Sequence, residues 1–208
     1  MRIGVIGAGS VGGALGRGWL RAGHEVTFGV RNPSDPKSAR LREETGAQAA
    51  SVAEAAASGE VVVFATPWEA TQDAVKSAGD LAGKIVFDCT NPLAPRLSGL
   101  THGFDTSAAE QVASWAPGAR VVKIFNTTGA NNMENPDFHG VAATMFYCGD
   151  DAEAKATGAG LAADLGFDPV DAGNLEQARL LEPLALLWIR LAYVQNQGRD
   201  IAFKLMKR

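Results

Sequence analysis

Short apolar runs alternate along the chain with stretches in which apolar residues recur at helical spacing. Near-continuous apolarity, as in Val61–Ala65, is typical of strands covered on both faces, and the intervening helices supply that cover. The pattern therefore predicts an α/β fold with a doubly wound, mostly parallel sheet. The predicted strands are Arg2–Ile6, Glu25–Val30, Glu60–Ala65, Lys84–Asp88, Arg120–Phe125, Thr144–Cys148 and Asp168–Val170.

A glycine pattern joins the first predicted strand to the first predicted helix. Gly7, Gly9 and Gly12 stand where a tight turn, a close approach of backbone to a ligand, and close packing of helix on strand require residues without a side chain. The start of the helix, with Ser10 and Val11, then offers free amides to an anion. The strand, turn and helix together predict a Rossmann-type dinucleotide site.

The end of the second strand indicates which dinucleotide is bound. A site for NAD places a carboxylate there to bind the ribose 2′-hydroxyl, whereas this chain has Arg31 and Asn32, with Ser34 and Lys37 nearby. A guanidinium pairs with phosphate, so these residues favour NADP over NAD. The alternative is that Arg31 is a solvated loop cation.

Three further strands are followed by polar loops, and ligands of such sheets bind beyond the carboxyl ends of the strands. Thr66 and Pro67, Asn91, and Asn126 are predicted to contact the cofactor. The alternative for each loop is local turn chemistry. A second group is predicted to contact the substrate: Pro92, Leu93, Thr127 and Leu184.

No proton donor stands out. Neither Tyr147 nor Tyr193 has a lysine four residues later, which is the usual acid pair of short-chain carbonyl reductases. Asp150–Glu153 has the spacing of a helix cap. A solvated role is favoured over catalysis or metal ligation for the scattered histidines, which are His24, His102 and His139. We therefore name no catalytic residue and no metal site, a pattern that suits hydride transfer between two cofactor rings.

Composition narrows the setting. The net charge is −4 and the two cysteines, Cys89 and Cys148, lie far apart, so we expect no nucleic-acid partner, no membrane and a reducing cytoplasm. No leader or membrane-spanning run is evident. The partner is expected to be a small-molecule acceptor.

The length of 208 residues favours a single domain. We expect a nucleotide-binding core over 1–148, and a strand and helix extension over 149–208 that completes the acceptor site. The last helical stretch is interrupted by Pro183, which predicts one kinked helix or two. Its face with Leu184, Trp188 and Leu191 packs on the sheet or on a second copy in a homodimer, with burial in the core favoured.

Several segments resemble the NADP oxidoreductase family that depends on the deazaflavin coenzyme F420, which includes the cytosolic domains of membrane ferric reductases. The resemblance spans nearly the whole chain. It is carried by Ile6–Gly12, Gly29–Asn32, Thr66–Glu69, Ser107–Glu110, Cys148–Asp151, Asp171–Leu175 and Arg179–Glu182. It implies that Gly9, Ser10, Val11, Arg31, Asn32 and Thr66 touch NADP, and that a planar acceptor stacks beside the nicotinamide.

The expected function is transfer of hydride between NADPH and a flavin-like acceptor such as F420, FMN or FAD. The segment Phe125–Thr128 is closer to the ferric reductase branch than to the deazaflavin enzymes. Two alternatives stay open at this point. One is a reductase of a small imine, carbonyl or quinone, and the other is an NADPH-binding redox sensor without turnover.

Overall fold

The computed structural model describes residues 1–208 and contains ten strands and eight α-helices. The strands are β1 (Arg2–Ile6), β2 (Glu25–Gly29), β3 (Gln48–Ala50), β4 (Val61–Phe64), β5 (Ile85–Asp88), β6 (Arg120–Lys123), β7 (Asp137–Phe138), β8 (Val141–Ala142), β9 (Thr144–Gly149) and β10 (Asp168–Asp171). The helices are α1 (Ser10–Arg21), α2 (Pro36–Thr45), α3 (Val52–Ser58), α4 (Trp68–Ser77), α5 (Ala108–Trp115), α6 (Ala130–Glu134), α7 (Ala152–Ala163) and α8 (Ala178–Ile189).

Eight strands form one sheet in the order β10-β9-β6-β5-β4-β1-β2-β3. Strands β1 to β6 are parallel, β9 is antiparallel to β6, and β10 is parallel to β9. The predicted α/β class with a mostly parallel, Rossmann-type sheet is therefore confirmed, and all seven predicted strands are present. The short strand β3 and the hairpin of β7 and β8 were not predicted.

The apolar pattern of the strands explains the two-sided core. Val61 and Val63 pack into one hydrophobic cluster, and Val62 and Phe64 pack into another on the opposite face. All four side chains are fully buried, because successive residues of a strand point to opposite faces and helices cover both.

Three of the predicted strands end earlier than expected, at Gly29, Phe64 and Lys123. The run Arg120–Phe125 is a strand only to Lys123, and Phe125 adopts a left-handed backbone with φ of 61°. Its ring stays in the core, where it packs edge-on against Trp19 with centroids 5.6 Å apart. The turn after β6, and not the strand itself, therefore directs Phe125 into the core. The same turn begins the loop that contains Asn126.

The C-terminal stretch is one helix with Pro183 inside it, extended by a π-helical turn over Arg190–Val194. Trp188 is buried and Leu184 and Leu191 are half-buried, whereas Leu180 and Leu187 are exposed. The final residues run back along the protein, where the Ile201 carbonyl accepts hydrogen bonds from Trp188 Nε1 and Asn132 Nδ2 at 2.7 Å each.

None of the helices combines the length and the apolarity that crossing a bilayer requires.

Candidate nucleotide and redox site

The register of the parallel strands brings the predicted site loops to one edge of the sheet. Ile6, the last residue of β1, is level with the last residues of β2 and β4, and the last residues of β4, β5 and β6 are level in turn. The loops that follow these five strands therefore lie side by side. Every cofactor-binding residue predicted from the sequence lies on one of these loops or at the start of the helix that follows it.

The three glycines of the first turn differ in whether the fold itself requires a residue without a side chain. Gly7 has a φ of 101°, and a Cβ there would lie 2.8 Å from the Ala65 carbonyl oxygen. A Cβ on Gly12 would lie 1.9 Å from the Gly7 carbonyl oxygen, so close packing requires glycine. A Cβ on Gly9 would meet nothing within 4 Å. The fold itself therefore does not need glycine at position 9, and the space above it is open to a ligand.

The start of α1 is suited to an anion. Gly9 is the N-cap residue and offers no capping side chain, and the first turn contains no acidic residue. Gly9 and Ser10 are exposed and Val11 is half-buried. The first amides of a 12-residue helix are thus left for an external acceptor, and the helix dipole favours a negative charge there.

The residues predicted to bind the 2′-phosphate of NADP lie at the surface of the loop after β2. Arg31, Asn32, Ser34 and Lys37 are all exposed. Asn32 shapes the loop, since its Oδ1 accepts the Ser34 amide at 3.1 Å and its carbonyl accepts the Ser38 hydroxyl at 2.9 Å. Arg31 is therefore presented from an ordered turn.

The loop after β4 lies against the glycine turn. The Cγ2 methyl of Thr66 would lie 3.3 Å from a Cβ on Gly7. Thr66 Oγ1 lies 2.9 Å from Thr71 Oγ1, which in turn donates to the Pro67 carbonyl at 3.0 Å. The first turn of α4 thus fixes Thr66 and Pro67 beside the predicted pyrophosphate position.

Asn91 and Asn126, at the ends of β5 and β6, form an amide pair. Asn91 Nδ2 donates to the Asn126 carbonyl at 2.9 Å, and Asn126 Nδ2 donates to Asn91 Oδ1 and to the Leu181 carbonyl, both at 3.1 Å. Asn126 is buried, and its Oδ1 atom has no hydrogen-bond partner. The pair joins two strand ends to α8.

The four predicted substrate residues differ in burial. Pro92 and Thr127 are buried, and Leu93 and Leu184 are half-buried. Leu93 begins a loop closed by a bridge to Leu100. Buried Pro92 and Thr127 form part of the support of the site, so Leu93 and Leu184 are the members with surface available to a ligand.

A buried charge cluster lies beneath the loops after β5 and β6 and was not predicted from the sequence. Lys123 Nζ lies 2.8 Å from Asp88 Oδ2, 2.8 Å from Glu182 Oε1 and 2.6 Å from the Thr90 carbonyl. The three charged side chains are fully buried. The Glu182 carboxylate also accepts the amides of Ala108 and Ala109 at 3.0 and 3.2 Å, so the start of α5 balances the second negative charge.

Electrostatics keep Lys123 protonated. Burial alone would lower the pKa of Lys123, but the attraction and hydrogen bonds of Asp88 and Glu182 outweigh it and raise the pKa above its ordinary value. Lys123 is therefore a fixed cation with all three donors used. It ties α8 and α5 to the sheet edge rather than serving as a proton donor to a ligand.

The cysteines are not nucleophiles here. Burial raises the pKa of Cys148 to about 12 and raises that of Cys89 well above its ordinary value.

One of the three histidines differs from the solvated role expected of it, whereas His139 is exposed as expected. His24 lies near the beginning of β2, where its Nε2 is 2.9 Å from Asp164 Oδ2 and its side chain is only 14% exposed. It therefore joins the turn after α1 to the C-terminal end of α7, and the expectation of solvation was wrong for this residue. His102 packs edge-on against Trp68, with ring centroids 5.6 Å apart. The expected helix cap within Asp150–Glu153 is present, but the N-cap is Asp151, which accepts the Ala154 amide at 2.8 Å, and not Asp150, the acid three residues before Glu153. Asp150 instead accepts the Leu175 amide at 2.9 Å.

A cavity of about 430 Å³ lies at the opposite edge of the sheet. It is lined in part by Arg2, Glu25 and Gln48, at the beginnings of β1, β2 and β3. Ligands of parallel α/β sheets bind beyond the carboxyl ends of the strands, so this cavity is not the candidate site.

The sheet edge thus combines a glycine turn that opens an uncapped helix, a cationic loop after β2 and a row of polar loops. This is the arrangement expected of an NADP-binding oxidoreductase of the Rossmann type. The family described as NADP oxidoreductase, coenzyme F420-dependent, matches residues 2–92. The F420-dependent NADP reductase of Methanothermobacter marburgensis is 30% identical over 99% of this chain and 98% of its own length. The chain therefore belongs to the F420-dependent NADP oxidoreductase family.

Two further similarities span most of the chain. Metalloreductase STEAP3 of Rattus norvegicus is 35% identical over 89% of this chain, but the alignment covers only 37% of that longer protein. A crystal structure of an Arthrobacter sp. FB24 protein, named as a candidate F420-dependent NADP reductase, superposes with a TM-score of 0.90 and 35% identity over 99% of both chains. The family resemblance stated from the sequence is confirmed.

Proposed function

We propose that the chain transfers hydride between NADPH and a flavin-like ring, with the deazaflavin F420 as the first candidate acceptor. Family membership supports NADP(H) as the nucleotide. The observation that carries the placement is the open space at Gly9, where a Cβ would meet nothing within 4 Å although the flanking glycines are sterically required. This is the position at which backbone must approach the pyrophosphate.

The residues along this edge of the sheet fit the cofactor from one end to the other. The amides of Ser10, Val11 and Gly12 would hold the pyrophosphate, and Arg31 would pair with the 2′-phosphate, with Asn32, Ser34 and Lys37 as nearby donors. Because β2 and β5 lie on opposite sides of β1 in the sheet, the nicotinamide would extend toward Thr66, Asn91 and Asn126. Bound NADPH supplies the hydride.

The protein's contribution to the reaction is alignment. Lys123, the cation beneath the site, is fully buried and ion-paired and therefore does not act as a general acid or base. Leu93 and Leu184 offer apolar surface beside the amide pair, which suits a planar ring placed against the nicotinamide. Holding two rings in contact turns a collision into an intramolecular step, which by itself accelerates transfer.

The extension over 149–208 is proposed to complete the acceptor side. It contributes α8, which contacts Asn126 through the Leu181 carbonyl and carries the half-buried Leu184 about one turn further on. Glu182 of the same helix reaches both the sheet edge and the start of α5. The core over 1–148 would then hold the nucleotide, and the extension would shape the space beside it.

The test is oxidation of NADPH followed with a panel of F420, FMN, FAD, a soluble quinone and a cyclic imine. We expect F420 or a flavin to support turnover. NADPH carrying deuterium at the transferred C4 position should deliver that deuterium to the carbon acceptor of F420, which does not exchange it with water. If only the imine or the quinone is reduced, that compound class replaces the flavin-like ring as the proposed acceptor. If NADPH binds but no acceptor of the panel is reduced, the result supports a redox sensor without turnover.

A further inference from the structure

The Asn126 side chain offers a single unused hydrogen-bonding atom. Both hydrogens of Nδ2 are taken, by Asn91 Oδ1 and by the Leu181 carbonyl at 3.1 Å each. Rotating the amide by half a turn would set its oxygen against these two acceptors and lose both bonds. The orientation is thus fixed by the protein, and Oδ1 is presented as an acceptor.

This acceptor has no partner although Asn126 is only 3% exposed. Buried polar atoms are nearly always paired, and an orphan calls for an explanation. Asn126 Oδ1 is closed off from solvent in this structure. A donor on a ligand therefore reaches it only if the neighbouring side chains move. A ligand that brings an N–H group would remove the cost of the orphan.

The position of Asn126 limits which ligand group this is. Pyrophosphate at the start of α1 and a 2′-phosphate near Arg31 place the adenosine half over β1 and β2, and the sheet order puts β4, β5 and β6 on the other side. The end of β6 is therefore on the nicotinamide side. The carboxamide of nicotinamide carries an NH2 donor, which is the polarity that Asn126 Oδ1 requires.

We propose that Asn126 Oδ1 accepts a hydrogen bond from the carboxamide NH2 of NADP(H), with Asn91 and the Leu181 carbonyl locking the amide in that orientation. This inference rests on the proposed function. Asn126 is then a specificity-determining residue, since it distinguishes a carboxamide from a group of similar shape without an N–H. The bond also restrains rotation of the nicotinamide ring about its ribose.

The test compares cofactor analogues on the intact protein. In 3-acetylpyridine adenine dinucleotide phosphate a methyl group replaces the NH2, whereas the thionicotinamide analogue keeps the NH2 and is the matched control. By calorimetry we expect the wild-type Kd of the acetyl analogue to exceed that of NADP by about threefold to tenfold, the value of one neutral hydrogen bond. The thio analogue should bind like NADP.

Variants assign this preference to Asn126. In Asn126→Ala the acetyl analogue and NADP should bind equally, and in Asn91→Ala, which frees the amide to rotate, the preference should shrink. Binding of 2′-phospho-ADP-ribose, which lacks nicotinamide, should be unchanged in both variants and reports that the phosphate site is intact. If Asn126→Ala does not fold, Asn91→Ala and the wild-type analogue series still decide the outcome.

Three results would overturn the inference. Equal binding of NADP and the acetyl analogue by the wild type would show that no such hydrogen bond forms. An undiminished preference for NADP in Asn126→Ala would show that another atom accepts it. A loss in Asn126→Ala that appears only in the KM of the acceptor would assign Oδ1 to the second ring. Failure of 2′-phospho-ADP-ribose to bind any of the proteins would instead refute the proposed function itself.

Discussion

Gly9 and Gly12 stand three residues apart in the same turn, and the structure assigns them different roles. Gly9 has φ of −75° and ψ of −164°, an extended conformation that other residues adopt, and its Cβ would enter open space. We therefore expect Gly9→Ala to change the free energy of unfolding by less than about 1 kcal/mol. Alanine is a poorer N-cap than glycine, but it also reduces the entropy of the unfolded chain.

NADPH binding should respond in the opposite way. The new methyl group would occupy the space that the pyrophosphate needs, at a cost of at least one charge-assisted hydrogen bond from the α1 amides, worth about 1.5–3 kcal/mol. This corresponds to a rise of about 10- to 100-fold in the Kd of NADPH. Titration calorimetry measures it, and thermal unfolding of the same sample measures stability.

Gly12→Ala is the matched control. Its Cβ would lie 1.9 Å from the Gly7 carbonyl oxygen and 3.1 Å from Val5 Cγ1, neither of which can move freely. We expect a loss of about 3 kcal/mol or more in the free energy of unfolding, at the upper end for overpacked cores. The assignment of Gly9 fails if Gly9→Ala binds NADPH as tightly as the wild type does, or if it loses as much stability as Gly12→Ala.

Three other predictions follow from named contacts. Arg31→Ala should raise the Kd of NADPH by about 10-fold or more and leave NADH binding almost unchanged, because only NADPH carries the 2′-phosphate; equal losses in calorimetry would refute the role. Lys123→Met should cost about 3–5 kcal/mol in chemical denaturation, since Asp88 and Glu182 would be left buried without their cation. Lys155→Met, at a partly exposed pair with Asp171, should cost less than about 1 kcal/mol and serves as the control. The pKa of Glu110 lies below its ordinary value of 4.5, chiefly because its carboxylate accepts a hydrogen bond from Arg179. The pair therefore stabilises the fold above pH 4.5, and this gain is lost as the pH falls through the lowered pKa. Arg179→Gln should therefore lower the Tm at neutral pH, with the difference from wild type shrinking in acid; a constant difference would show that the ion pair is not its source.

Local patterns were enough to predict the sheet and the nucleotide half of the site. The buried run at Val61–Phe64 and the spacing of Gly7, Gly9 and Gly12 each report a requirement of neighbouring backbone, so they can be read from one segment at a time. β3 escaped prediction because Gln48–Ala50 is short, lies at the edge of the sheet and is only partly buried. Its residues carry no apolar run.

The other half of the site depends on residues far apart in the chain. Lys123 on β6 and Glu182 on α8 meet only in the folded chain, and a lysine within an apolar run gives no sign of its partner. The lysine in the strand and the glutamate within an otherwise apolar helix were the available signals. The fixed orientation of the Asn126 amide was likewise beyond prediction, since it depends on the Leu181 carbonyl, 55 residues away.

The central claim is that bare amides at the start of α1 and the cation of Arg31 together select a phosphorylated pyridine nucleotide. The most direct measurement is a calorimetric titration of the folded wild-type protein with NADPH and with NADH. We predict a single site with NADPH bound at least about 10-fold more tightly, the value of one charge-assisted contact to the 2′-phosphate. No binding of NADPH, or equal affinity for the two nucleotides, would contradict it.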